Sequence, residues 1–244
     1  MTSLIIGGTA AYHLNLAEFV PVSRTERLAT PFGTTGPVQF FEVSGERCAF
    51  LARHGGEGRL GVTPPFINYH ANLYAGRLIG ADRVLSWNSA GSLVRSLRPG
   101  SIAAVADLID WTRARSTTYG EQGAEGPLFN PALRMALVAA GEALGYSVAP
   151  GAVYAATEGA RLETAAEIDL LARCGAELVG MTLSPEVFLA RELGLQYGSL
   201  CWVSNYATGV PFDGPPRRLF GPEVGALLFG IILKLLEEEG AHGR

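Results

Sequence analysis

The sequence predicts an α/β fold, and three observations carry that prediction. Short apolar runs alternate with amphipathic stretches from end to end, the pattern of strands feeding helices. The runs empty into turns marked by glycine, as at positions 7–8, 55–56, 91 and 209. No internal repeat, low-complexity tract or linker interrupts the 244 residues, so 1–244 reads as one domain.

Composition narrows the function. With 48% hydrophobic and 17% charged residues there is material for a large core. A net charge of −4 without a basic run argues against nucleic acid as a partner, while leaving room for a local anion pocket. Of the 19 Lys and Arg only Lys234 is a lysine, so the cations are mostly planar forks suited to fixed anion contacts. Cys48, Cys174 and Cys201 are scattered, show no metal-ligand spacing and lie in apolar surroundings; they read as buried free thiols in a reducing cytoplasm, with no metal site. MTSLIIGG has no charged leader, and no stretch reaches the length of a membrane helix, so neither export nor a membrane is expected.

In order, Leu4, Ile5 and Ile6 form a buried strand that runs into Gly7, Gly8 and Thr9. Such a glycine turn lets backbone N–H groups approach a phosphate, although a plain tight turn fits equally and the third glycine of a dinucleotide fingerprint is missing. Residues 28–50 read as β-ribbon, with a return strand that ends in Ala52, Arg53, His54, Gly55 and Gly56. Adjacent Arg and His at a strand exit offer several N–H donors to one oxyanion, or form a surface pair. Arg-His-Gly also opens the histidine phosphatase signature, but that chemistry needs a second histidine and a first-strand position, and a complete glycine-turn unit already precedes it here.

Residues 68–79 carry helical periodicity after the breaker Thr63, Pro64, Pro65. Residues 83–87 are a strand and 88–92, Asn-Ser-Ala-Gly-Ser, the turn after it. Ser89 is not a hydrolase nucleophile elbow, because Trp87 stands where the elbow needs glycine. A strand at 102–105 continues through Asp107 to Asp110, and 111–130 is a long polar loop of the kind that carries function. A helix at 132–144 and a strand at 153–157 lead into 158–186, which reads as turn, helix, turn, strand, turn. It holds the Glu163 carboxylate before its helix and Met181 and Thr182 at its strand exit, where α/β sheets place ligands; an ordinary capping glutamate is the bland alternative. A helix at 185–193, a strand at 197–203, an exit through Ser204 and Asn205, a Pro/Arg-rich loop and a helix at 222–239 complete the chain.

Five motifs in this order, GGT at 7–9, ARHG at 52–55, NSAGS at 88–92, EGARLET at 158–164 and GMTLSPE at 180–186, followed by an asparagine at 205, resemble the trimeric nucleoside phosphorylase family of purine nucleoside and methylthioadenosine or methylthioinosine phosphorylases. The resemblance spans Gly7 to Gly209. It implies a three-layer α/β/α fold with a mixed, partly barrel-like sheet, a homotrimer, and reversible phosphorolysis in which inorganic phosphate is co-substrate and no cofactor is needed. It assigns phosphate to Thr9, Arg53, His54, Ser89 and Thr182, without strong competing carboxylates, the nucleoside to Asn88, Ala90, Leu162, Met181 and Phe220, and the base chemistry to Glu163 and Asn205.

Departures from the family pattern are GGTA in place of GGTG, and Ala160 and Leu162 where proline and an aromatic are common. They leave a non-catalytic purine- or nucleoside-binding relative, or a methylthioadenosine phosphorylase, as alternatives. Loop 111–130 lacks the histidine often lent across the subunit interface, and Phe129 is the candidate to replace it. A carboxylate at 163 only accepts hydrogen bonds and suits N1–H of a 6-oxopurine, while an amide at 205 both donates and accepts and suits N7 and O6. The last helix opens without the histidine that commonly meets a 5′-hydroxyl; an apolar wall of Phe220, Pro222 or Val224 would favour a 5′-methylthio group, with Glu223 as a route back to the hydroxyl.

Overall fold

The computed structural model describes residues 1–8, 10–55, 60–120, 125–212 and 221–242. The first strand shows how the sheet is buried on both faces. In β1, Thr2–Gly7, side chains alternate: Leu4 and Ile6 enter one hydrophobic core and Ile5 the other. The ribbon follows as β2, Arg24–Thr30, β3, Gly33–Val43, and β4, Glu46–Ala52, and then α1, Tyr69–Ile79, capped by the Asn68 side chain on Ala71 N–H. Next come β5, Arg83–Ser92, β6, Ile102–Trp111, α2, Pro131–Ala143, and β7, Val148–Thr157. The chain finishes with α3, Ala165–Arg173, β8, Leu178–Gly180, α4, Leu183–Glu192, β9, Gln196–Tyr206, and α5, Pro222–His242.

Among the described residues nine strands form one mixed sheet in the order β2-β3-β4-β1-β5-β8-β7-β6-β9, and β5 pairs β9 as well. That extra pairing closes β5, β8, β7, β6 and β9 into a ring, with β1, β4 and the ribbon extending from it. The sheet is therefore partly barrel-like. Leu73 of α1 and Val187 of α4 pack into the core on one face; Leu137 of α2 and Leu228 and Ile232 of α5 pack into the core on the other. The result is the expected three layers.

Four local expectations are corrected. Residues 88–92 are not a turn: β5 runs through Ser92 because β9 supplies parallel partners along its whole length. Phe129 does not reach outward; it is buried, edge-on to Tyr197, in the same core as Leu73 and Val187. Cys48 and Cys201 are buried, but Cys174 is exposed, being the C-cap of α3. Val224 packs into the α2–α5 core. Among the described residues no helix is long and apolar enough to cross a membrane.

Candidate active site

Parallel pairing gathers the motif-bearing turns at one edge. β1 pairs β4 in parallel with Gly7 opposite Ala52, so Gly8 and Arg53 leave the sheet side by side, and Arg53 N–H donates to Gly7 O at 2.8 Å. β5 is parallel to β1, which brings Trp87 and Asn88 to the same level. β7 is parallel to β8 with Ala156 opposite Gly180, so the stretch 157–163 lies beside Met181 and Thr182. Sites at the carboxyl ends of strands are the rule for such sheets.

At the anion end, the Arg53 side chain is wholly buried and gripped. Its Nε and Nη2 donate to Glu186 Oε2 and Oε1 at 2.6 and 2.8 Å, and its Nη1 donates to Trp87 O at 3.0 Å. Burial opposes the guanidinium charge, but Glu186 outweighs it and raises the Arg53 pKa. The expectation of an arginine free of a strong competing carboxylate is thereby corrected: Glu186 takes two of its donors. A guanidinium has five N–H groups, so one on Nη1 and one on Nη2 remain for a ligand. Glycine at 8 is required here, since a Cβ would lie 2.5 Å from Trp87 O and 2.6 Å from Arg53 Nη1.

His54 also departs from the expectation of an N–H donor to the anion. It is buried, and burial, followed by the charge of Arg53, pushes its pKa down to about 4. The ring is neutral at pH 7. A carbonyl can only accept, so Nδ1–H donates to Val62 O at 2.9 Å and Nε2 keeps its lone pair. His54 thus offers an acceptor, suited to a P–OH group. Thr182 is the N-cap of α4 yet makes no side-chain capping bond, so its hydroxyl is not committed to the helix. Ser89 Oγ is buried without a hydrogen-bond partner among the described residues.

Asn88 is 1% exposed. Its Nδ2 donates to Ser199 Oγ and Leu200 O, both at 3.2 Å, which fixes the amide orientation because the Leu200 carbonyl can only accept. Among the described residues its Oδ1 is left buried without a partner, an acceptor for a ligand hydroxyl. Met181 forms the neighbouring platform. Gly159 allows it: φ is +66°, and a Cβ there would lie 2.6 Å from Met181 Sδ.

At the other end stand Glu163 and Asn205. Glu163 does not cap α3. Thr164 is the N-cap, accepting from Glu167 N–H at 3.2 Å, while Glu167 accepts from Thr164 N–H at 2.7 Å, a capping box. Glu163, 8% exposed, accepts instead from Thr157 Oγ1 at 2.5 Å through Oε1. Asn205 follows a β-bulge: Ala90 faces Val203 and Gly91 faces Asn205, so Ser204 is the extra residue. Its Oδ1 accepts from Ser204 Oγ and its Nδ2 donates to Tyr206 O, both at 2.7 Å, leaving one lone pair and one N–H.

One cleft of about 340 Å³ is lined by Arg53, His54, Asn88, Ser89, Ala90, Leu162, Glu163, Met181, Thr182 and Asn205, every described residue that the sequence assigns to substrate. Thr9 and Phe220 lie outside the described residues. Pro222 and Glu223 are exposed and Val224 is buried in the core; none of the three lines the cleft, which removes them as a 5′ wall. Tyr12, Leu60 and Pro64 line it instead. A wider hollow of about 650 Å³ beside the ribbon, bordered by Arg24, Phe40 and Arg47, contains none of the unpartnered buried polar atoms found among the described residues, so the smaller cleft is the candidate site. Glu186 carries no role legible in the sequence, although it stands in the GMTLSPE motif. The same holds for Tyr197, whose hydroxyl donates to Glu186, and Ser204, whose hydroxyl donates to Asn205 Oδ1.

The chain matches the model of the phosphorylase superfamily over residues 2–237. It is 42% identical over 213 residues to a "Probable S-methyl-5'-thioinosine phosphorylase" of Xanthomonas campestris pv. campestris, covering 84% of this chain and 83% of that protein. It is 40% identical over 224 residues to a "Probable 6-oxopurine nucleoside phosphorylase" of Korarchaeum cryptofilum, covering 84% and 80%. Its fold superposes with a TM-score of 0.83 on methylthioadenosine phosphorylase from Schistosoma mansoni in complex with tubercidin, at 25% identity and 99% and 92% coverage.

Proposed function

The chain belongs to the phosphorylase superfamily, and from that membership we propose that it is a purine nucleoside phosphorylase acting on 6-oxopurine nucleosides. One observation carries the reading. A single cleft unites an Arg–His–hydroxyl cluster for an anion, a sugar platform with an unpartnered acceptor, and a Glu–Asn pair for a base.

Arg53, Ser89 and Thr182 hold phosphate, and His54 Nε2 accepts its P–OH. Phosphate attacks the anomeric carbon, the C–N glycosidic bond breaks, and the bonding pair leaves with the purine. The base gains negative charge in the transition state. The remaining N–H of Asn205 meets that charge, and a preorganised donor of this kind is worth roughly 3–4 kcal/mol. Glu163, with Oε1 held by Thr157, presents Oε2 to N1–H of a 6-oxopurine. A 6-aminopurine would set an acceptor against an acceptor, and a mismatch of this kind discriminates strongly. The sugar hydroxyls face Asn88 Oδ1, while Met181 and Leu162 cover the sugar and base. The reaction needs no cofactor, phosphate being the co-substrate.

At the 5′ end the reading is 5′-methylthioinosine ahead of inosine. Leu60 and Pro64 add apolar lining to the cleft, which this reading assigns to the 5′ group, and the Xanthomonas relative bears a methylthioinosine name. A specific observation favours inosine as the second reading: Tyr12 brings a phenol into the same cleft. A homotrimer, a cytoplasmic location and a role in purine salvage belong to the same proposal. Leu60 and Leu162, 44% and 51% exposed at the cleft, support an interface covering it. Measuring kcat/KM for methylthioinosine, inosine, methylthioadenosine and adenosine side by side tests the reading. Faster turnover of either 6-amino nucleoside would overturn it.

A further inference from the structure

Loop 111–130 carries an arginine that the sequence gives no role. The Arg115 side chain is 5% exposed and does not line the cleft. Its Nε donates to Glu158 Oε1 at 3.0 Å, and its Nη2 donates to the Glu158 carbonyl. Its Nη1 donates to Met181 O at 2.5 Å, Ser184 O at 2.9 Å and Tyr69 Oη at 3.3 Å. The guanidinium carbon also lies 5.4 Å from the Tyr69 ring centroid. Glu158 is fixed in turn by the N–H groups of Arg113 and Ala114, at 2.8 and 3.2 Å.

These partners sit at the roots of the two segments that build the cleft. Glu158 begins the turn that carries Leu162 and Glu163. Met181 and Ser184 bracket Thr182 where the backbone is irregular: Ser184 has φ −96° and ψ 132° inside α4. The helix is kinked at Ser184, and Thr182 makes no side-chain cap. A planar fork with five donors can hold a carboxylate and three carbonyls from separate segments at once; a lysine ammonium cannot reach them all.

We propose that Arg115 is a positioning residue that fixes the base-side segment 158–163 against the phosphate-side segment 181–184, so that the two halves of the substrate are held at reacting distance. This inference rests on the phosphorylase reading.

The test compares wild type with R115A and R115K, measuring kcat, both KM values, melting temperature and phosphate affinity by calorimetry. A purely structural loss lowers the active fraction and leaves KM unchanged. The expected result is a rise of tenfold or more in KM for both phosphate and nucleoside, with a loss of kcat. Millimolar guanidinium should restore part of the activity of R115A, and R115K should recover little. If R115A does not fold, R115K carries the same comparison. Kinetic constants within twofold of wild type overturn the inference, as does a loss confined to kcat that guanidinium does not reverse. Absence of phosphorolysis in the wild type would sink the functional reading instead; the inference is then read from phosphate affinity, which must weaken tenfold or more in R115A.

Discussion

The Arg53–Glu186 pair gives the sharpest prediction, through the change E186Q. Both side chains are wholly buried. Three donors, Arg53 Nε, Arg53 Nη2 and Tyr197 Oη, converge on the two carboxylate oxygens. Glutamine keeps one oxygen and sets an NH₂ against the remaining donors, so a buried donor loses its partner and the guanidinium loses its counter-charge. Breaking a buried pair from one side costs about 3–5 kcal/mol. Against a typical stability of roughly 5–15 kcal/mol the loss is large. For a chain of this size it lowers Tm by roughly 6–20 °C. Urea denaturation and phosphate KM, measured on the same preparations, are the assays. E186Q should lose that stability, and its phosphate KM should rise at least tenfold because Arg53 is no longer aimed. The double variant R53M/E186M should regain much of the stability, since an apolar pair can replace a buried ion pair, but not the phosphate affinity. E186Q within about 1 kcal/mol of wild type, with phosphate KM unchanged, would refute the reasoning.

Three further outcomes follow from the same geometry. His54 has a folded pKa of about 4, below its unfolded value of about 6.5, so the unfolded chain binds more protons between them and stability falls as pH drops through that window. The loss approaches about 3 kcal/mol by pH 4, and urea midpoints at pH 7 and 4.5 should show a smaller drop for H54N than for wild type. G8A should raise phosphate KM tenfold or more and cost roughly 1–3 kcal/mol, because its Cβ would meet Trp87 O at 2.5 Å and backbone must move; unchanged kinetics would contradict this. N205D should shift the ratio of kcat/KM from 6-oxo towards 6-amino nucleosides, and an unaltered ratio would remove Asn205 from base recognition.

Much of the site was legible because its residues follow apolar runs. Parallel strands bring such exits to one edge, which groups Arg53, His54 and Thr182, whereas Ser89, Glu163 and Asn205 join them only through the resemblance of the ordered motifs to the phosphorylase family. What stayed hidden depends on contacts between distant segments. Nothing local ties Arg53 to Glu186, 133 positions apart. Asn88 to Ser92 reads as a turn by composition, yet pairing with β9 makes it strand, tertiary context overriding propensity. Phe129, an aromatic in a polar loop, carries no sign of whether it faces solvent or Tyr197. The histidine reads as a donor until the Val62 carbonyl is seen to claim its proton.

The central claim is phosphorolysis, and one measurement meets it directly. Purified protein is mixed with methylthioinosine or inosine, with and without inorganic phosphate, and free hypoxanthine and sugar phosphate are quantified together. Hypoxanthine should appear only with phosphate, in one-to-one ratio with the sugar 1-phosphate. Equal release of base without phosphate would contradict it by pointing to hydrolysis. So would tight nucleoside binding with no release under either condition.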